Sequence, residues 1–219
     1  MSLLGALGTK PWLQAAEGVP AWGRLPFPAA GVGLAVFLAV VAVLFALLAA
    51  AYLMRMTLGD WRPLPDPPIL WLNTLALVLA SLALQRSRTV LRRGDAQAAW
   101  TAFLAGGGLT AAFLAGQLAA WRQIEAAGHL LATNPANTFF YLLTMLHGLH
   151  LLGGLVAWGR AARRLRADPE GRAARLAVGL CTTYWHALLV VWLGLFGLLL
   201  ADNGGWTGPS GLHHGSPAG

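Results

Sequence analysis

Three histidines, His147, His150 and His186, stand inside otherwise apolar runs of a 219-residue chain. Between Glu125 and Arg160 there is no Asp, Glu, Lys or Arg, yet His147 and His150 fall in the middle of that stretch. An imidazole in such a place can ligate a haem iron, carry a proton or hydrogen-bond a neighbouring helix. At about 100° per residue, His147, His150 and Gly154 lie within about 60° of one another on a helix, with Thr144 and Trp158 at the edge of the same arc. That arc is expected to be a buried face. His186 shares a stripe with Thr182, Leu189 and Leu193 on a second helix, beside Tyr184 and Trp185. Gln117, Trp121 and Asn73 add further polar groups to the apolar runs.

Spacing separates the chemistries. A haem held between helices takes one axial ligand from each of two facing helices. His147 and His150 are too close on one helix to sandwich an iron, so only His186 with one of them could do so; a haem b-binding membrane cytochrome is therefore one alternative. No carboxylate lies near mid-membrane in any apolar run, which counts against a proton relay or cation site of the Asp/Glu type. Neither internal repeats nor interrupted helices of the transporter kind are present. The single cysteine, Cys181, sits in an apolar segment and supplies neither a disulfide nor a thiolate metal site. His213 and His214 lack the further ligands a metal centre needs. The histidines are thus expected to join helices by hydrogen bonds, with Gln117, Trp121, Tyr184 and Asn73 as partners, and the chain to hold no catalytic, cofactor-binding or metal residue of its own.

The elements that position these groups are membrane spans. The chain is 57% hydrophobic and 11% charged, with mean hydropathy +0.61, far from a soluble domain with about a quarter of its residues charged. Windows free of Asp, Glu, Lys and Arg recur between Arg24 and Arg55, Asp66 and Arg86, Asp95 and Arg122, Glu125 and Arg160, and Arg175 and Asp202. Each holds the roughly 20 residues a span requires. Long apolar runs without strict alternation exclude a barrel, because backbone groups in lipid must be satisfied within the segment. The expected fold is an all-α integral membrane bundle of five transmembrane helices, near Ala29–Met54, Pro67–Gln85, Ala96–Ala120, Asn137–Gly159 and Leu176–Ala201. Residues 1–28, with Trp12 and Trp22, read as an irregular interfacial leader without a secretory signal pattern, and residues 202–219 as a disordered tail. In the third span Gly108, Ala112 and Gly116 form a small-residue ridge expected to admit a neighbouring helix.

The net charge of +7 is a matter of topology. Lys10 and Arg24 precede the first span, Arg86, Arg88, Arg92 and Arg93 follow the second, and Arg160, Arg163, Arg164, Arg166, Arg172 and Arg175 follow the fourth. Only Arg55, Arg62 and Arg122 fall on the other side. Basic residues stay cytoplasmic, so the N-terminus is expected in the cytoplasm and the C-terminus outside. No aromatic-interleaved basic patch of the kind that binds nucleic acid is present.

Four blocks carry a family resemblance: RPLPDPPILWLNT (Arg62 to Thr74), LAGQLAAWRQI (Leu114 to Ile124), NTFFYLLTMLHGLHLLGG (Asn137 to Gly154) and YWHALLVVWLGLF (Tyr184 to Phe196). In order and spacing the chain resembles subunit III of the haem-copper terminal oxidases, best known from cytochrome c oxidase, over roughly Ala29 to Ala201. The resemblance implies a subunit with no haem or copper of its own, packed with catalytic subunit I and subunit II, which hold those groups, and carrying bound phospholipid in a bacterial inner membrane. It also implies support for complex stability and for sustained proton uptake during oxygen reduction. An accessory subunit of a nitric oxide reductase is a related alternative. The family's usual form has seven spans, whereas this chain resembles the shorter five-span form. Where family members carry a membrane-embedded Glu this chain has Val41 or a neighbour, and Leu189 stands where they often carry an Asp, so roles of those acids do not transfer.

Overall fold

A computed structural model describes residues 29–58, 61, 68–128 and 135–201. The leader, the tail with His213 and His214, and most of the RPLPDPP loop lie outside the described residues. Five helices follow one another: α1 (Ala29–Met56), α2 (Ile69–Arg92), α3 (Ala96–Ala126), α4 (Pro135–Ala167) and α5 (Arg172–Leu200). All are long and apolar enough to cross a membrane, as the charge-free windows require.

The helix ends differ from the apolar windows in an informative way. α2 continues through Arg86 and Arg88 to Arg92, α4 runs to Ala167, and α5 starts at Arg172. The hydrocarbon thickness sets where charge begins, not where the helix stops. Arginine, alanine and leucine are good helix formers, so each helix propagates beyond the bilayer core until a breaker intervenes. Between α2 and α3 the breaker is Gly94 at φ +88°, a left-handed conformation that glycine adopts without a Cβ penalty. Asp95 then caps α3, its Oδ1 accepting from the Ala98 N–H at 2.9 Å, one of the orphan donors of a helix start. Between α4 and α5, Pro169 and Gly171 make the turn, closed by the Gly171 N–H on the Asp168 carbonyl at 3.2 Å.

The chain falls into two compact units, Met1–Val36 and Phe37–Gly219. Of the first, the described part is the opening of α1. Within the second, α2 and α3 form the closest-packed pair, and α5 packs on both α2 and α4. The remainder of α1 joins through Val41, Phe45 and Tyr52, which cluster with Leu143 of α4 and Leu195 of α5. Its other side exposes Val40, Val43 and Leu47.

Close approach in the α3 contacts falls on Gly116 of the anticipated ridge and on two glycines outside it, Gly106 and Gly107. A Cβ at Gly106 would lie 2.7 Å from Leu84 Cγ, and one at Gly107 would overlap the Trp158 indole. Gly116 abuts the Asn73 side chain, but Gly108 meets nothing within 4 Å and Ala112 is exposed. The ridge thus meets α2 at Gly116 only, while Gly106 makes the other close approach to α2 and Gly107 the one to α4. On α5 the buried stripe is likewise Thr182, Trp185, Leu188 and Trp192, while Leu193 is 45% exposed.

Candidate functional site

The polar groups within the spans form a set of helix clamps built largely on tryptophan and threonine. Trp185 on α5 donates its indole N–H to Thr110 Oγ1 on α3 at 2.8 Å. Trp192, two turns on, donates to Thr74 Oγ1 on α2 at 3.0 Å. Trp121 on α3 donates to Thr144 Oγ1 on α4, also at 3.0 Å. In each case the threonine hydroxyl donates to a carbonyl one turn back on its own helix: Thr110 to Gly106 at 2.9 Å, Thr74 to Leu70 at 2.8 Å and Thr144 to Phe140 at 2.7 Å. The local bond commits the hydroxyl proton and leaves a lone pair for the indole, whose N–H is donor only. Each clamp is therefore a short chain of polarised bonds that leaves no indole donor unpaired in an apolar medium. Trp158 makes a fourth link, to the Phe103 carbonyl at 3.0 Å.

Other clamps use amides and hydroxyls. Asn73 Nδ2 donates to Gln117 Oε1 at 3.3 Å between α2 and α3. Tyr184 donates to the His150 backbone carbonyl at 2.8 Å, and Gly154 makes this approach possible because a Cβ there would lie 2.6 Å from the Tyr184 ring. Thr182 reaches the Leu84 carbonyl at 3.3 Å, and Ser87 the Ala99 carbonyl at 2.8 Å.

The three histidines part company. His186 pairs with α2, through Nδ1 to Ser81 Oγ and Nε2 to Gln85 Oε1, the latter at 3.3 Å. With Gln85 Oε1 as acceptor, Nε2 carries the proton and Nδ1 accepts from the serine hydroxyl. His150 turns Nδ1 back on the Leu146 carbonyl of its own helix at 2.8 Å, and its ring packs on Phe45 at 5.6 Å between centroids. Its link to α5 is made by its carbonyl, not its imidazole. His147 is fully buried, and neither ring nitrogen has a hydrogen-bond partner among the described residues. It lies among Phe45 at 6.3 Å, Phe113 at 5.9 Å and Trp192 at 5.2 Å. The expected inter-helix imidazole bonding is thus corrected for His147 and His150. Aromatic neighbours from α1, α3 and α5 surround the first, and the second is satisfied locally. His186 is bonded to Ser81 and Gln85 of α2, while His147 is enclosed by aromatic rings.

Gln117, Trp121, Tyr184 and Asn73 do occupy helix contacts. Ser81, Gln85, Thr74, Thr110 and Trp192 were missed as clamp residues. The available signal was Trp185 and Trp192 at i, i+7, which places two indoles on one face, deep in a span rather than at its ends, where each needs an acceptor.

Fold and polar interior together define an all-helical membrane subunit whose buried polar groups serve helix association. The chain matches the cytochrome c oxidase subunit III family over residues 31–201, which takes in every helix nearly end to end. It is 31% identical over 174 residues to cytochrome c oxidase subunit 3 of Synechocystis sp., covering 75% of this chain and 72% of that protein. It is 30% identical over 172 residues to the same subunit of Thermostichus vulcanus, covering 76% and 84%. A probable cytochrome c oxidase subunit 3 of Nocardia farcinica is 29% identical over 141 residues, covering 63% and 70%. The chain belongs to the cytochrome c oxidase subunit III family and is a subunit III of a haem-copper oxidase.

Proposed function

We propose that this subunit is a structural companion of catalytic subunit I, assembled with subunit II in a proton-pumping oxidase that reduces oxygen to water. Haem and copper reside in those partners, and this chain sustains complex stability and proton uptake from beside them. It resides in a bacterial plasma membrane with the N-terminus and the arginine-rich α2–α3 and α4–α5 turns cytoplasmic and the C-terminus outside, which the distribution of basic residues supports. The observation that carries the reading is the fate of the mid-membrane polar groups: indoles, hydroxyls and amides are engaged between helices, and the His186 ring is bonded to Ser81 and Gln85 of α2. Such an interior favours a rigid body that props a neighbour over one that performs redox chemistry.

A mild-detergent pull-down on the tagged chain tests this. Haem-bearing subunits I and II are expected to co-purify, and the chain separated from them to show no Soret band. Membranes lacking the chain are expected to hold an oxidase that loses activity faster during turnover. A stoichiometric Soret band on the isolated chain would overturn the reading, and a co-purifying complex that reduces nitric oxide but not oxygen would reassign it.

A further inference from the structure

Asn73, Ser81, Thr110, Gln117, Thr144 and Thr182 turn inward and are buried, but one bonded polar pair of the spans stands at the surface. His186 is half-buried and Gln85 is exposed. The imidazole reaches Ser81 Oγ through Nδ1 and Gln85 Oε1 through Nε2, the latter at 3.3 Å. That bond uses the Gln85 oxygen and leaves the two N–H donors of its amide without an acceptor among the described residues. The exposed threonines differ, since Thr101 and Thr183 donate to the Gln97 and Gly179 carbonyls of their own helices. Depth makes the amide costly. Side chains on a helix tilt toward its N-terminus, so Gln85 projects back toward Ser81 and away from Arg86 and Arg88. His186 lies eleven residues beyond Arg175, about 16 Å along α5, within a hydrocarbon core about 30 Å thick. Lipid tails at that level accept no hydrogen bond.

Helical spacing sets Leu82 beside Gln85 on the outer flank of α2, and Thr183 and Val190 beside His186 on the outer flank of α5. Leu82 and Val190 are 59% and 68% exposed. The groove between the two helices therefore offers apolar walls and one unsatisfied donor group, the combination by which a crossing helix is held in register. Charge selects the occupant. Arg88, Arg92, Arg172 and Arg175 line one hollow at the ends of these same helices, with no acidic residue in its lining. A second copy docked about a two-fold axis along the membrane normal would bring this arginine end against its own image, which like-charge repulsion opposes. A helix of a different subunit, with a neutral or acidic end at this level, meets no such opposition. We propose that the α2–α5 groove at Gln85 and His186 docks a transmembrane helix of the catalytic subunit, an oxygen of which accepts from the Gln85 amide. The inference rests on the reading of this chain as a companion of that subunit and names the face it uses.

The test is photo-crosslinking in the assembled oxidase, with p-benzoylphenylalanine placed singly at Leu82 or Val190 and, for comparison, at Leu149 or Leu152 on the exposed face of α4. All four side chains are exposed, so each variant is expected to fold and assemble. Adducts to the haem-bearing catalytic subunit are expected from Leu82 and Val190 and not from the α4 positions. Gln85→Glu, which keeps an oxygen for His186 and removes both amide donors, is expected to lower retention of the catalytic subunit in a stringent detergent wash about tenfold. Adducts between two copies of this chain would overturn the occupant, and lipid adducts alone at Leu82 and Val190 would overturn docking at the groove. Co-purification of the catalytic subunit with crosslinks only from α4 overturns this face and leaves the proposed function standing. Failure of any haem-bearing subunit to co-purify removes the proposed function itself. Unchanged retention in Gln85→Glu overturns the role of the amide.

Discussion

Trp185 and Thr110 are joined across α5 and α3 by an indole N–H to hydroxyl bond of 2.8 Å, and the Thr110 hydroxyl itself donates to the Gly106 carbonyl at 2.9 Å. Both side chains are essentially inaccessible. Thr110→Val keeps the shape and removes the acceptor, leaving a donor in an apolar interior. The expected loss is about 1 kcal/mol, read as a lower thermal unfolding midpoint in detergent. Thr110→Ser is expected to retain most of the stability. With Trp185→Phe the losses should be less than additive, because the second change removes the donor that the first stranded; strict additivity would refute the clamp.

Two adjacent glycines provide a sharper contrast. A Cβ at Gly107 would overlap the Trp158 indole, which is held by its bond to the Phe103 carbonyl at 3.0 Å and stacked on the Phe103 ring at 5.7 Å. The ring cannot retreat without breaking that bond. Gly107→Ala is therefore expected to cost about 1–3 kcal/mol, the range for overpacking a well-filled contact. Gly108→Ala meets open space and gains from better helix propensity, by up to about 1 kcal/mol. Unfolding of the two variants side by side checks this, and a reversed order would show that α3 is rotated from the position described.

This contrast also shows what the sequence could convey. Span number and position were legible because charge-free windows are imposed by the bilayer, whatever the helices pack against. Rotation about each helix axis was not. Lipid and protein interior are both apolar, so Leu193, exposed, and Leu188, buried, look alike in the sequence. Small residues were correctly read as contact formers, but Gly106 and Gly107, not Gly108, were used. Asn73, Gln117 and Trp121 stood out because amides and a deep indole need partners. The threonines stayed hidden because a hydroxyl can satisfy itself on its own helix, and nothing local reveals that it also accepts from Trp192 or Trp185.

The histidines give the last prediction. His186 holds two α2 side chains, Ser81 and Gln85, so His186→Leu removes both bonds at the α2–α5 seam and is expected to cost about 1–2 kcal/mol. His150→Leu loses a bond to its own helix while the Tyr184 link to the backbone carbonyl persists, so a smaller loss is expected. His147 sits among Phe45, Phe113 and Trp192 with neither ring nitrogen bonded among the described residues. Burial of a polar ring without a partner is unfavourable, and phenylalanine fits an aromatic surround without that penalty. His147→Phe is expected to leave the unfolding midpoint unchanged or raise it, with haem spectra of the assembled oxidase unaltered. Should His147→Phe prove the most damaging of the three, its nitrogens must be engaged in the assembled complex, and the purely packing role of this ring would have to be abandoned.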